Sequence, residues 1–122
     1  MIASKYRFHG HNSLRYVYSN GKAVRSQLFT IKYVHNSHRK YPRFSVVVSK
    51  KVIKSAVGRN RIRRRLYEYL RLHTDDLNGV YDIVIICSSG ELRALPYAHI
   101  AEQLDQLFGK AHLFKTPENW YT

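Results

Sequence analysis

The first 67 residues contain no aspartate and no glutamate, although they carry 17 lysines and arginines. Residues 68–122 contain four basic and eight acidic residues, so the two parts have net charges of +17 and −4 within the total of +13. An ordinary solvated basic surface has acids interspersed among its bases. Because self-repulsion of this size opposes compaction, the asymmetry indicates a face that binds a polyanion, with nucleic acid favoured over an anionic membrane.

Other absences narrow the class of protein further. A single cysteine, Cys87, excludes an intramolecular disulfide and indicates a reducing compartment. The longest apolar runs, FSVVV and VIIC, are too short to cross a bilayer, and the N-terminus lacks the apolar core of a signal peptide. No GxxxxGK[ST] or GxGxxG motif occurs. We expect one soluble, cytoplasmic domain over residues 1–122 that binds nucleic acid, with neither a membrane nor a small molecule as its partner.

The hydrophobic pattern predicts the order helix, strand, strand, helix, strand, helix. The first helix takes Asn12 or Ser13 as its N-cap and stops at Gly21, and a single half-buried strand follows around residues 23–34. After Ser49 a basic helix runs to about His73. This order suggests an α/β two-layer sandwich with helices on a small mixed sheet. The general rule for parallel strands then predicts a right-handed crossover.

The segment SAVGRNRIRRRLYEYLR, residues 55–71, combines an apolar stripe with a dense set of arginines. At helical spacing the stripe contains Ile62, Leu66, Tyr69 and Leu70. The opposite side carries Asn60, Arg61, Arg64, Tyr67, Glu68 and Arg71. Guanidinium groups stay charged and bind phosphate oxygens bidentately. A helix that is merely charged outside pairs its arginines with acids, and here Glu68 is the only acid before Asp75.

RNA is a better partner for this helix than DNA. A DNA recognition helix needs a preceding helix and tight turn, or a dimer, whereas this helix follows a strand. The basic part also contains many aromatic residues, which stack on single-stranded bases while lysine and arginine follow the backbone. Tyr16 and Tyr18 cannot both face inward from a short helix, so we expect at least one to be exposed, and Tyr33 is a weaker candidate.

Two alternatives to an RNA-binding subunit stay open on the residues alone. An autonomous nuclease needs several carboxylates around its metal ions or a paired set of histidines. Only Asp75, Asp76 and Asp82 are near one another, and the HGH and HNSH segments lack the partners of a zinc site. We therefore expect no catalytic residue and no metal ligand in this chain. The second alternative is a ribosomal-type RNA-binding protein without any part in an enzyme.

Residues 44–71, FSVVVSKKVIKSAVGRNRIRRRLYEYLR, resemble the protein subunit of bacterial ribonuclease P. LRYVYSNG, YDIVIIC and LDQLFGKAHL resemble the first helix, the last central strand and the closing helix of that family. The resemblance implies an α/β (α+β) sandwich of three helices on about four strands, with a left-handed βαβ crossover instead of the right-handed one. It also implies a ribonucleoprotein of one protein and one RNA that removes 5′ leaders from precursor tRNA. By the same resemblance, the catalytic RNA is expected to perform the hydrolysis with magnesium ions that are held mainly by this RNA and the substrate.

The resemblance also implies which residues touch RNA. The residues expected on the catalytic RNA are Lys50, Lys51, Lys54, Arg59, Asn60, Arg61, Arg63 and Arg64. Leu14 and Tyr18 fall on family positions in a cleft for the single-stranded leader, and the aromatic pattern of the basic part adds Tyr16 and Tyr33 to the residues expected to line it. Tyr18 matches a family aromatic position, whereas Leu14 stands where the family usually has another aromatic ring.

Overall fold

A computed structural model describes residues 3–8 and 11–115. The bounds of its longer elements are α1 His11–Asn20, β1 Lys22–Arg25, β2 Phe29–His35, β3 Arg43–Val47, α2 Ala56–His73, β4 Tyr81–Cys87 and α3 Tyr97–Lys110. Short 3-10 helices lie at Ser4–Tyr6, Thr74–Asp76 and Gly90–Arg93. The expected α/β sandwich of three helices on a four-stranded mixed sheet is confirmed for the described residues. None of their helices is long and apolar enough to cross a membrane.

The sheet has the strand order β1-β2-β4-β3, in which only β3 and β4 are parallel. The single strand predicted around residues 23–34 is wrong, because the chain reverses there to form the β1–β2 hairpin. Ser26 closes the turn, since its Oγ accepts hydrogen bonds from the backbone N–H groups of Leu28 and Phe29. The β3–α2–β4 segment joins the parallel pair. The left-handed crossover that the family resemblance implies for this segment stays a prediction.

The main core lies between one face of the sheet and helices α2 and α3. The buried stripe predicted for α2 is confirmed, with Ile62, Leu66, Tyr69 and Leu70 all at most 1% exposed. The placement of Tyr67 on the outer side of α2 is wrong, because this residue is buried. Its hydroxyl accepts a hydrogen bond from the backbone N–H of Val46, on the edge strand β3, at 3.3 Å.

Helix α1 packs on the opposite face of the sheet. Val17 of α1 and Val84 of β4 are fully buried there. Beside them Arg43 forms a buried ion pair with Asp82, with Nη2 2.7 Å from Oδ2 and Nε 3.0 Å from Oδ1. Arg43 Nη1 also donates to Ser13 Oγ at 3.1 Å, which ties α1 to the sheet. Ser13 therefore lies inside the helix and anchors it. The N-cap predicted at Asn12 or Ser13 is wrong for both residues, because α1 already begins at His11.

Local contacts explain two other helix boundaries. Helix α1 ends just before Gly21, as expected. Only glycine fits at position 21, because a Cβ there would lie 2.5 Å from the carbonyl oxygen of Val17. Helix α2 begins at Ala56, later than predicted, since Ser55 is its N-cap and accepts from Gly58 N–H at 3.1 Å. The residues before Ser55 form a turn in which Ile53 N–H donates to the Ser49 carbonyl.

Candidate RNA-binding surfaces

The outer face of α2 presents exposed guanidinium groups. Asn60, Arg61 and Arg64 are exposed, and Arg63 and Arg65 lie at the two edges of the buried stripe. Arg65 Nη1 donates to the Leu95 carbonyl at 2.7 Å, so this side chain is used to hold the fold. Arg63 donates to Asn60 Oδ1, which orients its guanidinium along the outer face. The predicted amphipathic division of the helix therefore places Arg61 and Arg64 in solvent.

Charge on this face is left almost uncompensated. Glu68 is the only acid in α2, and both its carboxylate oxygens accept from Arg71, at 2.5 and 3.0 Å. This hydrogen-bonded guanidinium lowers the pKa of Glu68. Among the described residues, Arg61 and Arg64 make no ion pair with a carboxylate. A helix face of this kind can accept several phosphates.

The turn before α2 carries three lysines and is held against the start of the helix. Lys50, Lys51 and Lys54 are all exposed. Arg59 Nη1 donates to the carbonyl oxygens of Ile53 and Lys54, at 3.0 and 2.8 Å. Arg59 thus fixes the lysine-bearing turn against the start of the helix, a structural role that the sequence did not indicate.

The four residues predicted for a leader cleft do not share one surface. Tyr16 and Tyr18 are 56% and 37% exposed. Residues two positions apart in a helix point in directions that differ by about 200° around its axis. They therefore occupy opposite flanks of α1, and Leu14, one turn before Tyr18, shares the flank of Tyr18. Tyr33 alternates with Lys32 along β2 and lies on the other face of the sheet, packed against the main core.

Lys32 is the residue beside Tyr18 that the sequence analysis missed. Its Nζ lies 5.1 Å from the centroid of the Tyr18 ring and donates to the Tyr18 carbonyl at 3.4 Å. Burial of part of this ring raises the pKa of the Tyr18 hydroxyl. A ring with a cation next to it on an open sheet face suits a stacked base and its phosphate.

Tyr16 lines a separate polar cleft of about 490 Å³ on the other flank of α1. The cleft also contains Asn12, His35 and His38, and the Arg43–Asp82 pair is part of its wall. This cleft is distinct from the flank that carries Tyr18 and Lys32.

A family model for ribonuclease P matches residues 2–112. The ribonuclease P protein component of Clostridium kluyveri is 37% identical over 113 residues, which is 90% of this chain and 97% of the relative. That of Carboxydothermus hydrogenoformans is 46% identical over 86 residues, 68% of this chain and 72% of the relative. The chain belongs to the ribonuclease P protein family.

Solved structures of the family share the fold. The Staphylococcus aureus RNase P protein has a TM-score of 0.80 at 24% identity, covering 90% of this chain and 98% of its own. The Thermotoga maritima RNase P protein has a TM-score of 0.72 at 24% identity, with coverages of 83% and 94%. Membership in the ribonuclease P protein family makes this chain a component of an endoribonuclease that processes the 5′ end of tRNA. It also implies association with ribonuclease P RNA.

The remaining reactive side chains of this ribonuclease P family member are scattered or buried. Burial raises the pKa of the Cys87 thiol to about 12, which keeps it protonated at neutral pH as expected for a core cysteine. Asp82 is occupied by Arg43, and Asp76 by His73 Nδ1 at 2.9 Å. Within residues 3–8 and 12–115, no three His, Cys, Asp or Glu side chains form a group that could hold a metal ion. His9 and the side chain of His11, the two histidines of the HGH segment, lie outside the described part of the chain.

Proposed function

We propose that this chain is the non-catalytic protein subunit of ribonuclease P, which docks on the catalytic RNA through the outer face of α2. The observation that carries the proposal is the exposed pair Arg61 and Arg64 on a helix whose only acid is already bound to Arg71. RNA helices offer closely spaced phosphates, and bidentate guanidinium groups suit them. The docking set comprises Lys50, Lys51, Lys54, Arg59, Asn60, Arg61, Arg63 and Arg64.

The single-stranded leader of precursor tRNA is proposed to lie along the Tyr18 flank of α1. Tyr18 supplies a stacking ring, Lys32 a cation 5.1 Å from it, and Leu14 an apolar side chain one turn away. Stacking tolerates any base, which suits a leader of varied sequence. Tyr16 and Tyr33, which the sequence also predicted for the leader, lie on two other surfaces, so the proposed path of the leader runs over Leu14, Tyr18 and Lys32 and leaves those two residues out.

The hydrolysis itself is proposed to belong to the RNA. Bound magnesium would supply a Lewis acid that activates the attacking water and stabilises the leaving oxygen. The described residues of the protein do not fit a magnesium site, because their carboxylates are dispersed and partly paired. The proposal is therefore that catalytic RNA and substrate hold the ions, in a cytoplasmic complex of one protein and one RNA.

A processing assay with three arms tests this proposal. Precursor tRNA is incubated with catalytic RNA alone, with protein alone, and with both, at low magnesium concentration. We expect no cleavage by protein alone and faster 5′ processing with both than with RNA alone. Clean 5′ cleavage by RNA-free protein would make the chain a nuclease. An unchanged rate with both components would favour a ribosomal-type RNA-binding protein.

The salt dependence of assembly tests the docking surface separately. If the outer face of α2 neutralises about five phosphates, log K against log salt should have a slope of roughly −3 to −5. A slope near −1 would show that the arginines of α2 are not the interface.

A further inference from the structure

Arg7 brings a guanidinium from the N-terminal segment to the arginine face of α2. A surface cavity of about 380 Å³ is lined by Arg7, Asn60, Arg63, Arg64 and Tyr67. None of these lining residues is acidic. The neighbouring cavity, which Arg61, Arg64 and Arg65 line with Tyr97, contains the Glu68 carboxylate. The Arg7 cavity is thus the more electropositive of the two.

The backbone and the side chain of Arg7 are both held in position. Its backbone forms a parallel bridge with Phe44 of β3, and its N–H donates to the Ser4 carbonyl at 3.1 Å. Its guanidinium carbon lies 5.0 Å from the centroid of the Tyr67 ring. A cation over an aromatic face is attracted by the ring quadrupole. Arg7 is therefore preorganised at the cavity before any ligand arrives.

Tyr67 is a firm support for this contact. The ring is buried, and its hydroxyl accepts from the Val46 N–H on the edge strand. The inward placement of Tyr67, which the helical pattern did not predict, thus provides the surface on which Arg7 lies. Asn60 Oδ1 orients the Arg63 guanidinium on the other side of the cavity.

Three guanidinium groups around one cavity repel each other unless an anion lies between them. Arg7, Arg63 and Arg64 make no ion pair with a carboxylate in the part of the chain that the structure describes. A phosphate group has the charge and the oxygen geometry that several guanidinium forks can share.

We propose that this cavity binds one phosphodiester group of the catalytic RNA, with Arg7 as a phosphate-contacting residue. The inference rests on the proposed docking function and extends the interface from α2 to the N-terminal segment. It predicts that Arg7 and Arg64 contact the same phosphate, so that their contributions to RNA affinity depend on each other.

The test compares Arg7→Ala with Lys5→Ala in binding of the full chain to its catalytic RNA. Lys5 is a matched control, since it lies on the same segment and its Nζ is 4.4 Å from the Tyr41 ring centroid, away from the cavity. Removing one charged phosphate contact should weaken binding by roughly tenfold, and should make the salt slope shallower by about 0.7–0.9. Lys5→Ala should change affinity less than about twofold.

Two further readouts separate a phosphate contact from a structural role. Phosphate-ethylation interference on the RNA should lose one position with Arg7→Ala and keep it with Arg7→Lys, which retains the charge. The double variant Arg7→Ala/Arg64→Ala should lose less affinity than the product of the two single losses, because one shared phosphate is lost only once.

Equal behaviour of Arg7→Ala and Lys5→Ala, at unchanged melting temperature, would overturn the inference. So would an Arg7→Lys variant that keeps the melting temperature of the natural chain but loses the full tenfold together with the interference position. The double variant Arg61→Ala/Arg64→Ala distinguishes failure of the docking proposal from failure of the Arg7 site alone. If that variant binds the RNA normally, the docking proposal itself fails, whereas weak binding beside a normal Arg7→Ala rejects the Arg7 site alone.

Discussion

The outer face of α2 and the Tyr18 flank of α1 differ in the side chains that they offer to RNA. The α2 face presents unpaired guanidinium groups, with Arg61 and Arg64 exposed and no carboxylate bound to them within the described residues. The α1 flank presents one ring and one ammonium group, Tyr18 and Lys32, against an open sheet. Fixed charges suit the phosphates of a folded RNA, while a ring suits the bases of a flexible strand.

The two surfaces also lie on opposite faces of the sheet, so each can be altered without the other. Helix α2 packs on the main core, whereas α1 is anchored to the opposite face through Arg43 and Asp82. Arginine thus has two separate uses in this chain. Buried and paired, it holds α1 in place; exposed and unpaired, it is available to a polyanion.

The largest effect should come from removing the buried ion pair between Arg43 and Asp82, which should lower the free energy of unfolding. Arg43→Ala leaves Asp82 buried without its main partner, which typically costs about 3–5 kcal/mol. The free energy of unfolding, measured by urea denaturation, should fall by that amount, while Arg61→Ala should change it by less than about 0.5 kcal/mol. Equal losses in the two variants would show that the Arg43–Asp82 pair is not what fixes α1 to the sheet.

Substitutions on the outer face of α2 should weaken binding to the catalytic RNA and leave the stability of the fold nearly unchanged. Arg61→Ala with Arg64→Ala removes two charge-assisted phosphate contacts, each worth roughly tenfold, so assembly should weaken by about a hundredfold. The stripe of Ile62 and Leu66 stays intact, and the melting temperature should hardly change. Gel-shift titration with the catalytic RNA and thermal unfolding measure the two quantities. A loss of stability as large as the loss of affinity would remove the distinction between the faces of α2.

Leader binding should depend on the α1 flank alone. Tyr18→Ala removes a stacked base worth about 1–3 kcal/mol, a loss of roughly five- to a hundredfold for long leaders. Precursors with a one-nucleotide leader should bind almost normally, because little strand reaches Tyr18. The measurement is the affinity of the assembled complex over a series of leader lengths.

Tyr16→Ala is the matched control, since it removes a more exposed ring from the opposite flank of the same helix. It should leave the dependence on leader length unchanged. If both variants weaken long leaders equally, the strand passes over both flanks and Tyr16 belongs to the cleft. If Tyr18→Ala weakens short and long leaders alike, Tyr18 supports the fold and not the leader.

Local periodicity was enough to predict the parts of the fold that repeat along one element. The buried positions Ile62, Leu66, Tyr69 and Leu70 follow from helical spacing, and so does the exposure of Arg61 and Arg64. The boundaries were less accurate, because the turn at Ser26 closes through a hydroxyl without the glycine or proline that usually announces a hairpin.

Contacts between distant parts of the chain could not be predicted from spacing. Tyr67 is buried because its hydroxyl meets the Val46 N–H of an edge strand, which a helical wheel does not contain. Lys32 lies 14 residues after Tyr18, and Arg7 lies 60 residues before Tyr67, yet each cation rests beside the ring. The predicted leader set separated for the same reason: alternation along β2 groups Tyr33 with Phe29 and Ile31, but it does not indicate which face of the sheet α1 covers.

The smallest effect, and the one with the opposite sign, should come from Glu68. This carboxylate is the only acid of α2 and binds Arg71, whose hydrogen bonds lower the pKa of Glu68. It therefore stays ionised over the whole range from about pH 5 to 8, and repels phosphate throughout that range. Glu68→Gln removes the negative charge and releases Arg71, so affinity for the catalytic RNA should rise by about two- to threefold at low salt. Because both groups are exposed, the gain should disappear near 1 M salt, where the Debye length is about 3 Å.

Binding titrations at two salt concentrations and at pH 5.5 and 7.5 measure this, with Glu102→Gln on α3 as the control for net charge alone. An equal gain in both variants would mean that overall charge drives assembly, and a loss of affinity in Glu68→Gln would mean that Glu68 orients Arg71 toward the RNA.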